Sequence, residues 1–231
     1  MILLQVDTTA VTDAAQKTAE ALNLSLWDLA VKGGWIMLIL GILSIIAVYL
    51  FIDKWVAIKK ASGDQKFLMN KIKNYIFDGN IKAALDECKV TVGPLPRMIE
   101  KGIMRIGRPL NDVNAAIENV GKQEIARLEK GLPILATIAG GAPMIGFLGT
   151  VTGMIRAFYE MASIAKTTGN ISVESLSGGI YEALVTTVGG LVVGIIAYFG
   201  YNILVSRINT LVAQLETKTT EFMDILNEPA K

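Results

Sequence analysis

Among 231 residues, one carboxylate is placed where it could handle protons. Glu182 lies in Gly178-Gly-Ile-Tyr-Glu-Ala-Leu-Val-Thr-Thr-Val-Gly-Gly190, and apolar residues run on from there to Phe199. An ionisable side chain inside an apolar span is rare and costly. Apolar surroundings disfavour the ionised form of a carboxyl group. A carboxyl that can be neutral or charged at cell pH is what a proton carrier needs. At about 100° per residue, Gly178, Gly179, Glu182, Thr186, Gly189 and Val193 share one helix face. A second reading stays open: Glu182 only marks the outer end of its apolar run, because hydropathy does not fix its depth.

Other chemistry is poorly supplied. The chain has no histidine and one cysteine, Cys88. Imidazole catalysis and His-ligated metal sites are excluded, and a single thiolate is no metal cage. No P-loop and no nucleophile–base pair is present, so an enzyme is not expected, and neither cofactor nor metal is assigned. Lys plus Arg is 22 against 21 Asp plus Glu. That balance gives no basic excess for nucleic acid.

Small residues accompany Glu182. Gly146, Gly149, Thr150, Gly153 and Ala157 share a face of a second apolar segment. Both segments carry G-x-x-x-G, as Gly149-Thr-Val-Thr-Gly153 and Gly190-Leu-Val-Val-Gly194. Such spacing lets helix backbones approach closely in lipid. Gly146, Gly149, Gly153, Gly178, Gly189, Gly190 and Gly194 are therefore the expected helix-packing residues. Threonine hydroxyls beside them could line a polar path through water, although a Thr more commonly bonds back to the i−4 carbonyl. Pro143 inside the second segment should loosen its helix, and Pro133 suits a helix entry. Arg156 and Glu160, four residues apart, should pair. Pairing of Arg156 with Glu182 is the alternative.

The elements that position these residues follow from charge. Hydrophobic residues make up 52% of the chain and charged residues 19%, with a mean hydropathy of +0.47. Three stretches are free of charge: the 20 residues Gly33–Ile52, the 25 residues Gly131–Ile155 and the 24 residues Ala183–Ser206. About 20 helical residues cross a roughly 30 Å hydrocarbon layer. The first run starts too late, and lacks the basic flank, to be a cleaved signal peptide. It is expected to stay and to act as the insertion signal. Residues 53–130 carry 15 Lys or Arg, against two in residues 1–32. The positive-inside bias puts the middle segment in the cytoplasm, the N-terminus outside and the C-terminus inside.

The expected fold is an all-α integral membrane protein. It has three transmembrane helices, two of them long and extending into the cytoplasm, and a helical cytoplasmic segment. The divisions are an outer segment 1–32 with an interfacial turn at Ser25–Lys32, span one 33–52 and a cytoplasmic helical domain 53–130. Span two follows at 131–159, then a short outer connection 160–177, span three 178–206, and a cytoplasmic helix and tail 207–231. Within 53–130, apolar stripes at i, i+3, i+4 mark amphipathic helices around Phe67–Ile76, Ile81–Cys88 and Met98–Ile106. Leu110, Val113, Ile117, Val120, Ile125 and Leu128 mark a longer helix leading into span two.

At these residues the chain resembles the proton-channel family of ExbB, TolQ and MotA. Ala142-Pro-Met-Ile-Gly-Phe-Leu-Gly-Thr-Val-Thr-Gly-Met154 is similar to the family's second-span signature. Gly179-Ile-Tyr-Glu-Ala-Leu-Val-Thr-Thr-Val-Gly-Gly-Leu191, with Tyr201-Asn202 downstream, is similar to its third. Three spans and an outer N-terminus resemble ExbB and TolQ, with ExbB favoured; MotA members have four spans.

The resemblance implies an inner-membrane motor subunit driven by the proton-motive force. It implies a homopentamer in membrane lipid around single-span ExbD-like partners, passing work to a TonB-like protein for outer-membrane transport. A TolQ-like subunit of a Tol-Pal motor, or a non-conducting scaffold, is the alternative. Carried over by position, the proton pathway falls on Glu182, Thr150 and Thr187. Here the helical wheel disagrees. Thr186 shares the face of Glu182, and Thr187 lies about 140° away. Thr187 is kept as the family position and Thr186 as an extra candidate.

Overall fold

A computed structural model describes residues 34–63, 65–168 and 173–227. The interfacial turn expected at Ser25–Lys32 lies outside the described residues. All regular structure in the described residues is helical: α1 Gly34–Ala61, α2 Gln65–Phe77, α3 Ile81–Val90, α4 Pro94–Ile103, α5 Leu110–Glu129, α6 Leu132–Thr168 and α7 Val173–Asn227. Among the described residues, three stretches of helix are long and apolar enough to cross a membrane. They comprise α1, α5 with most of α6, and most of α7, and they cover the described part of the three charge-free runs. At 1.5 Å per residue, α1, α6 and α7 measure about 42, 55 and 83 Å, so α6 and α7 exceed what a bilayer needs. Their exposed apolar side chains include Trp35, Leu38, Phe147, Ile155, Val188 and Phe199. A water-facing surface does not normally carry such a band.

Two differences from the sequence expectation have local causes. The helix through Ile125 and Leu128 does not continue into span two. It ends at Glu129, and Gly131 takes φ +98°, a backbone state that a residue with a Cβ seldom adopts. Pro133 then sits in the first turn of α6, where its missing N–H costs nothing. At the other end, α6 runs on to Thr168 and α7 begins at Val173. The helix former Met161 and the alanines around it sustain α6 past the apolar run, and Arg156 and Glu160 form the expected i, i+4 pair at 3.0 Å.

The chain divides into two compact units. Its described residues in the first are 34–42, 142–168 and 173–192. In it, the first turns of α1, α6 from Ala142 onward and the first part of α7 pack through small residues. Pro143 lies inside α6 without ending it. The described residues of the second unit are 43–63, 65–141 and 193–227. Its core is a set of buried side chains from α2 to α5 and the C-terminal part of α7. They include Met69, Ile72, Cys88, Ile99, Ile117, Leu211, Leu215 and Phe222.

Local chemistry shapes this second unit. Asn80 caps α3, its side-chain oxygen accepting from the Ala83 N–H at 3.1 Å. Lys71 and Glu87 tie α2 to α3 at 2.9 Å. Gly102 and Gly121 leave room for neighbours: a Cβ on Gly102 would lie 2.7 Å from the Phe222 ring, and one on Gly121 would lie 2.9 Å from the Met98 methyl. The amphipathic stripes read from sequence are mostly the core-facing sides of these helices. Phe67 and Leu110, at the starts of their stripes, are exposed, and Ile106 departs further. It falls in the turn after α4 and is exposed.

Candidate proton pathway

The first unit is held by a seam of small residues between α6 and α7. A Cβ on Gly190 would lie 2.6 Å from the Ala142 carbonyl oxygen and 2.9 Å from the Gly146 Cα. A Cβ on Gly146 would lie 2.8 Å from the Thr186 carbonyl oxygen, and one on Gly149 would lie 2.7 Å from the Thr186 Cβ. Gly153 meets Ala183 in the same way, and Gly179 meets Ala157. Contacts this close exclude any side chain, so the backbones touch, as small-residue helix pairs do in lipid.

The other glycines divide. Gly189 faces α1, with Met37 Sδ 2.9 Å from where its Cβ would be. Gly194 is buried. Gly178 is exposed, and a Cβ there would meet nothing within 4 Å. It takes no part in the seam.

The seam positions the hydroxyls. Thr187 Oγ1 lies 3.1 Å from the Gly146 carbonyl oxygen, to which it donates, and 3.4 Å from Thr150 Oγ1. Thr150 in turn donates to the Phe147 carbonyl at 2.6 Å. Two hydroxyls from different helices thus meet beside a carbonyl that the absent side chain of Gly146 leaves open. Thr186 is placed differently. It is buried against Gly149, and its hydroxyl donates back to the Ala183 carbonyl at 2.7 Å. The two adjacent threonines therefore have separate roles: Thr187 makes the inter-helix polar contact, and Thr186 packs. The wheel placed Thr186 with Glu182, but the partner helix decides which threonine meets a hydroxyl.

Glu182 is half-buried, five residues before Thr187 and about 7.5 Å from it along the axis. Its carboxylate points to the first turn of α1. Oε1 lies 2.5 Å from where a Gly34 Cβ would be. Gly34 has φ +64°, so neither a side chain nor an ordinary backbone state stands there. Arg156 is paired with Glu160, and no ion pair joins it to Glu182 among the described residues. Gly34 and Met37 escaped the sequence reading, because nothing local marks a residue almost 150 positions from its partner. No group of three or more potential metal-ligating side chains occurs among the described residues.

The sequence profile of the MotA/TolQ/ExbB proton channel family matches residues 90–217, which include the seam, both threonines and Glu182. The chain is 31% identical over 112 residues to the biopolymer transport protein ExbB of Xanthomonas campestris pv. campestris (strain B100), covering 48% of this chain and 43% of that one. It is 35% identical over 135 residues to the Tol-Pal system protein TolQ of Haemophilus influenzae, covering 58% and 53%. A putative biopolymer transport protein, ExbB-like 3 of Synechocystis, is 30% identical over 153 residues, covering 66% and 71%. The chain thus spans about half the length of the first two relatives. With the match extending over more than half of its length, the chain belongs to the MotA/TolQ/ExbB proton channel family.

Proposed function

We propose that this chain is a proton-conducting subunit of an inner-membrane motor, with Glu182 as the group that takes up and releases the proton. The observation that carries the reading is the hydroxyl pair Thr187–Thr150, set across two helices in the same unit as a half-buried carboxylate. A carboxylate supplies a site that can change charge, and hydroxyls can donate and accept along a path. The polar side chains lie within helices otherwise built of apolar and small residues, which is where intramembrane ionisable groups serve transport.

In this reading the N-terminus is periplasmic and residues 53–130 are cytoplasmic. The chain assembles as a homopentamer around ExbD-like single-span partners and delivers work to a TonB-like protein. One charge crossing the membrane gains about 2.3 kcal/mol per 100 mV. A tenfold proton gradient adds about 1.4 kcal/mol. A few protons therefore suffice to drive a repacking step. The test is carbodiimide labelling of membranes across a pH series, with the adduct located by mass spectrometry. Labelling at Glu182 that persists near neutral pH supports the reading. Absence of labelling at every pH sinks it, because carbodiimide needs a protonated, reachable carboxyl.

A TolQ-like role in a Tol-Pal motor is the second reading, favoured by the 35% identity to a TolQ protein. Complementation separates the two. Rescue of an ExbB-deficient strain supports the first reading, and rescue of a TolQ-deficient strain alone supports the second.

A further inference from the structure

A cleft of about 220 Å³ lies in the second unit, between the end of α1, the start of α4 and the end of α5. Its charged lining is Lys60, Arg97, Arg127 and Glu124, three cations against one carboxylate. Glu124 is largely buried, with 12% of its side chain exposed, and is held from both sides. Arg97 Nη1 donates to both of its oxygens at 3.0 Å, and Arg127 Nη1 donates to Oε1 at 2.6 Å. A guanidinium has five N–H donors. Each arginine uses one nitrogen on Glu124, so further donors on both remain for a second acceptor. Lys60 is exposed and forms no ion pair among the described residues. One largely buried carboxylate thus orients two guanidiniums, and two positive charges of the lining remain unmatched within it.

The position of the cleft selects the anion. Its wall is the same helix that crosses the membrane. Ala57 and Lys60 lie five and eight residues past Ile52, the last residue of the charge-free run, or about 7.5 and 12 Å along the axis. The headgroup layer extends about 5–8 Å beyond the hydrocarbon, and a lysine stem can bend back toward it. Ala57, Ala61, Val92, Pro94 and Leu128 give the rest of the lining an apolar character suited to a glycerol backbone. Arg207 lies over the Trp55 ring, 5.6 Å from its centroid, so another cation sits near this end of span one.

We propose that this cleft binds the phosphodiester headgroup of an anionic phospholipid from the leaflet that Lys60 faces. The site is separate from the proton pathway, and its lining does not include Glu182, Thr150 or Thr187. Binding there would clamp α4 and α5 to the end of span one and make their packing depend on lipid composition. Basic pockets beside transmembrane helices commonly hold such headgroups.

The test is native mass spectrometry of the detergent-solubilised full chain titrated with phosphatidylglycerol, and separately with phosphatidylcholine. Wild type should retain phosphatidylglycerol preferentially. The double variant Lys60→Gln/Arg127→Gln should lose about 30-fold in phosphatidylglycerol affinity, with phosphatidylcholine unchanged. Arg97 stays in place to keep Glu124 paired. Lys60→Gln alone disturbs no contact and guards against misfolding of the double variant; it should lose about fivefold. The control Lys82→Gln/Lys89→Gln removes the same net charge elsewhere and should bind as wild type. Equal loss in the control, or undiminished preference in both cleft variants, overturns the proposal. Displacement of phosphatidylglycerol by equimolar inorganic phosphate would assign the cleft to a free phosphate and overturn the headgroup assignment.

Discussion

The Glu182 carboxylate occupies the space that Gly34 leaves by having no side chain, with Oε1 2.5 Å from the point where a Cβ would stand. Gly34 opens α1 at φ +64°. A methyl group there must push the carboxylate aside, and the backbone state disfavours any side chain. Gly34→Ala should therefore move the Glu182 side chain without removing it. The expected outcome is a changed rate of carbodiimide modification at Glu182, together with reduced proton uptake in proteoliposomes reconstituted with the partner subunit. Glu182→Gln should abolish both. An unchanged modification rate in Gly34→Ala would show that Glu182 is positioned by something other than span one.

The adjacent threonines should separate in function. Thr187 contacts Thr150 and the Gly146 carbonyl, whereas Thr186 returns its hydrogen bond to its own helix. Thr187→Val removes the inter-helix hydroxyl and keeps the shape. It should cost about 1 kcal/mol of stability but strongly reduce proton uptake. Thr186→Ala should leave uptake near wild type. The pair of variants is to be compared in the same proteoliposome assay at equal protein incorporation. Equal loss in both would mean that packing of the seam, rather than the hydroxyl contact, governs conduction.

How far each feature could be read from the chain follows from its range. The three spans were legible because absence of charge over 20 or more residues is a local property. The amphipathic helices were legible because burial repeats every three or four residues; Leu68, Ile72, Ile99 and Ile117 all face the core as expected. The break after Glu129 has no signal in the apolar pattern, which continues in register across Lys130, at ψ 120°, and Gly131, at φ +98°. Thr186 and Thr187 could not be ranked from a wheel. A wheel describes one helix, and their difference is set by Gly149 and Thr150 on another. Gly34 carried no signal, since its role is only to be empty opposite Glu182.

The α6–α7 seam should be intolerant of volume at some glycines and indifferent at others. Gly146 and Gly190 approach each other backbone to backbone. Gly190→Leu or Gly146→Leu must drive the helices apart, a change expected to cost at least the 1–3 kcal/mol typical of overpacking. Gly178→Ala and Gly140→Ala should be neutral, as a Cβ at either position meets nothing within 4 Å. Thermal unfolding in detergent, followed by loss of the native size-exclusion peak, would show the contrast. A destabilised Gly178→Ala would mean that this face contacts something outside the chain.

Cys88 offers a readout of the second unit on its own. It is buried in the core, and burial, with the negative charges of Glu100 and Glu87 adding to it, pushes the thiol up from near 9 to about 12. The reactive species is the thiolate. Maleimide at pH 8 should therefore leave Cys88 unlabelled in the folded protein and label it fully in SDS. The same shift sets a pH dependence. Between about pH 9 and 12 the unfolded chain has lost the thiol proton and the folded chain has kept it. The unfolded state then binds fewer protons, so this group lowers stability as pH rises through that window and contributes nothing below it. Cys88→Ala removes the effect. Its unfolding midpoint, lowered by the lost packing, should fall less steeply than that of the wild type between pH 9 and 11. Parallel slopes for the two proteins would show that the thiol titrates normally and that the α3 contact with the core is open to water.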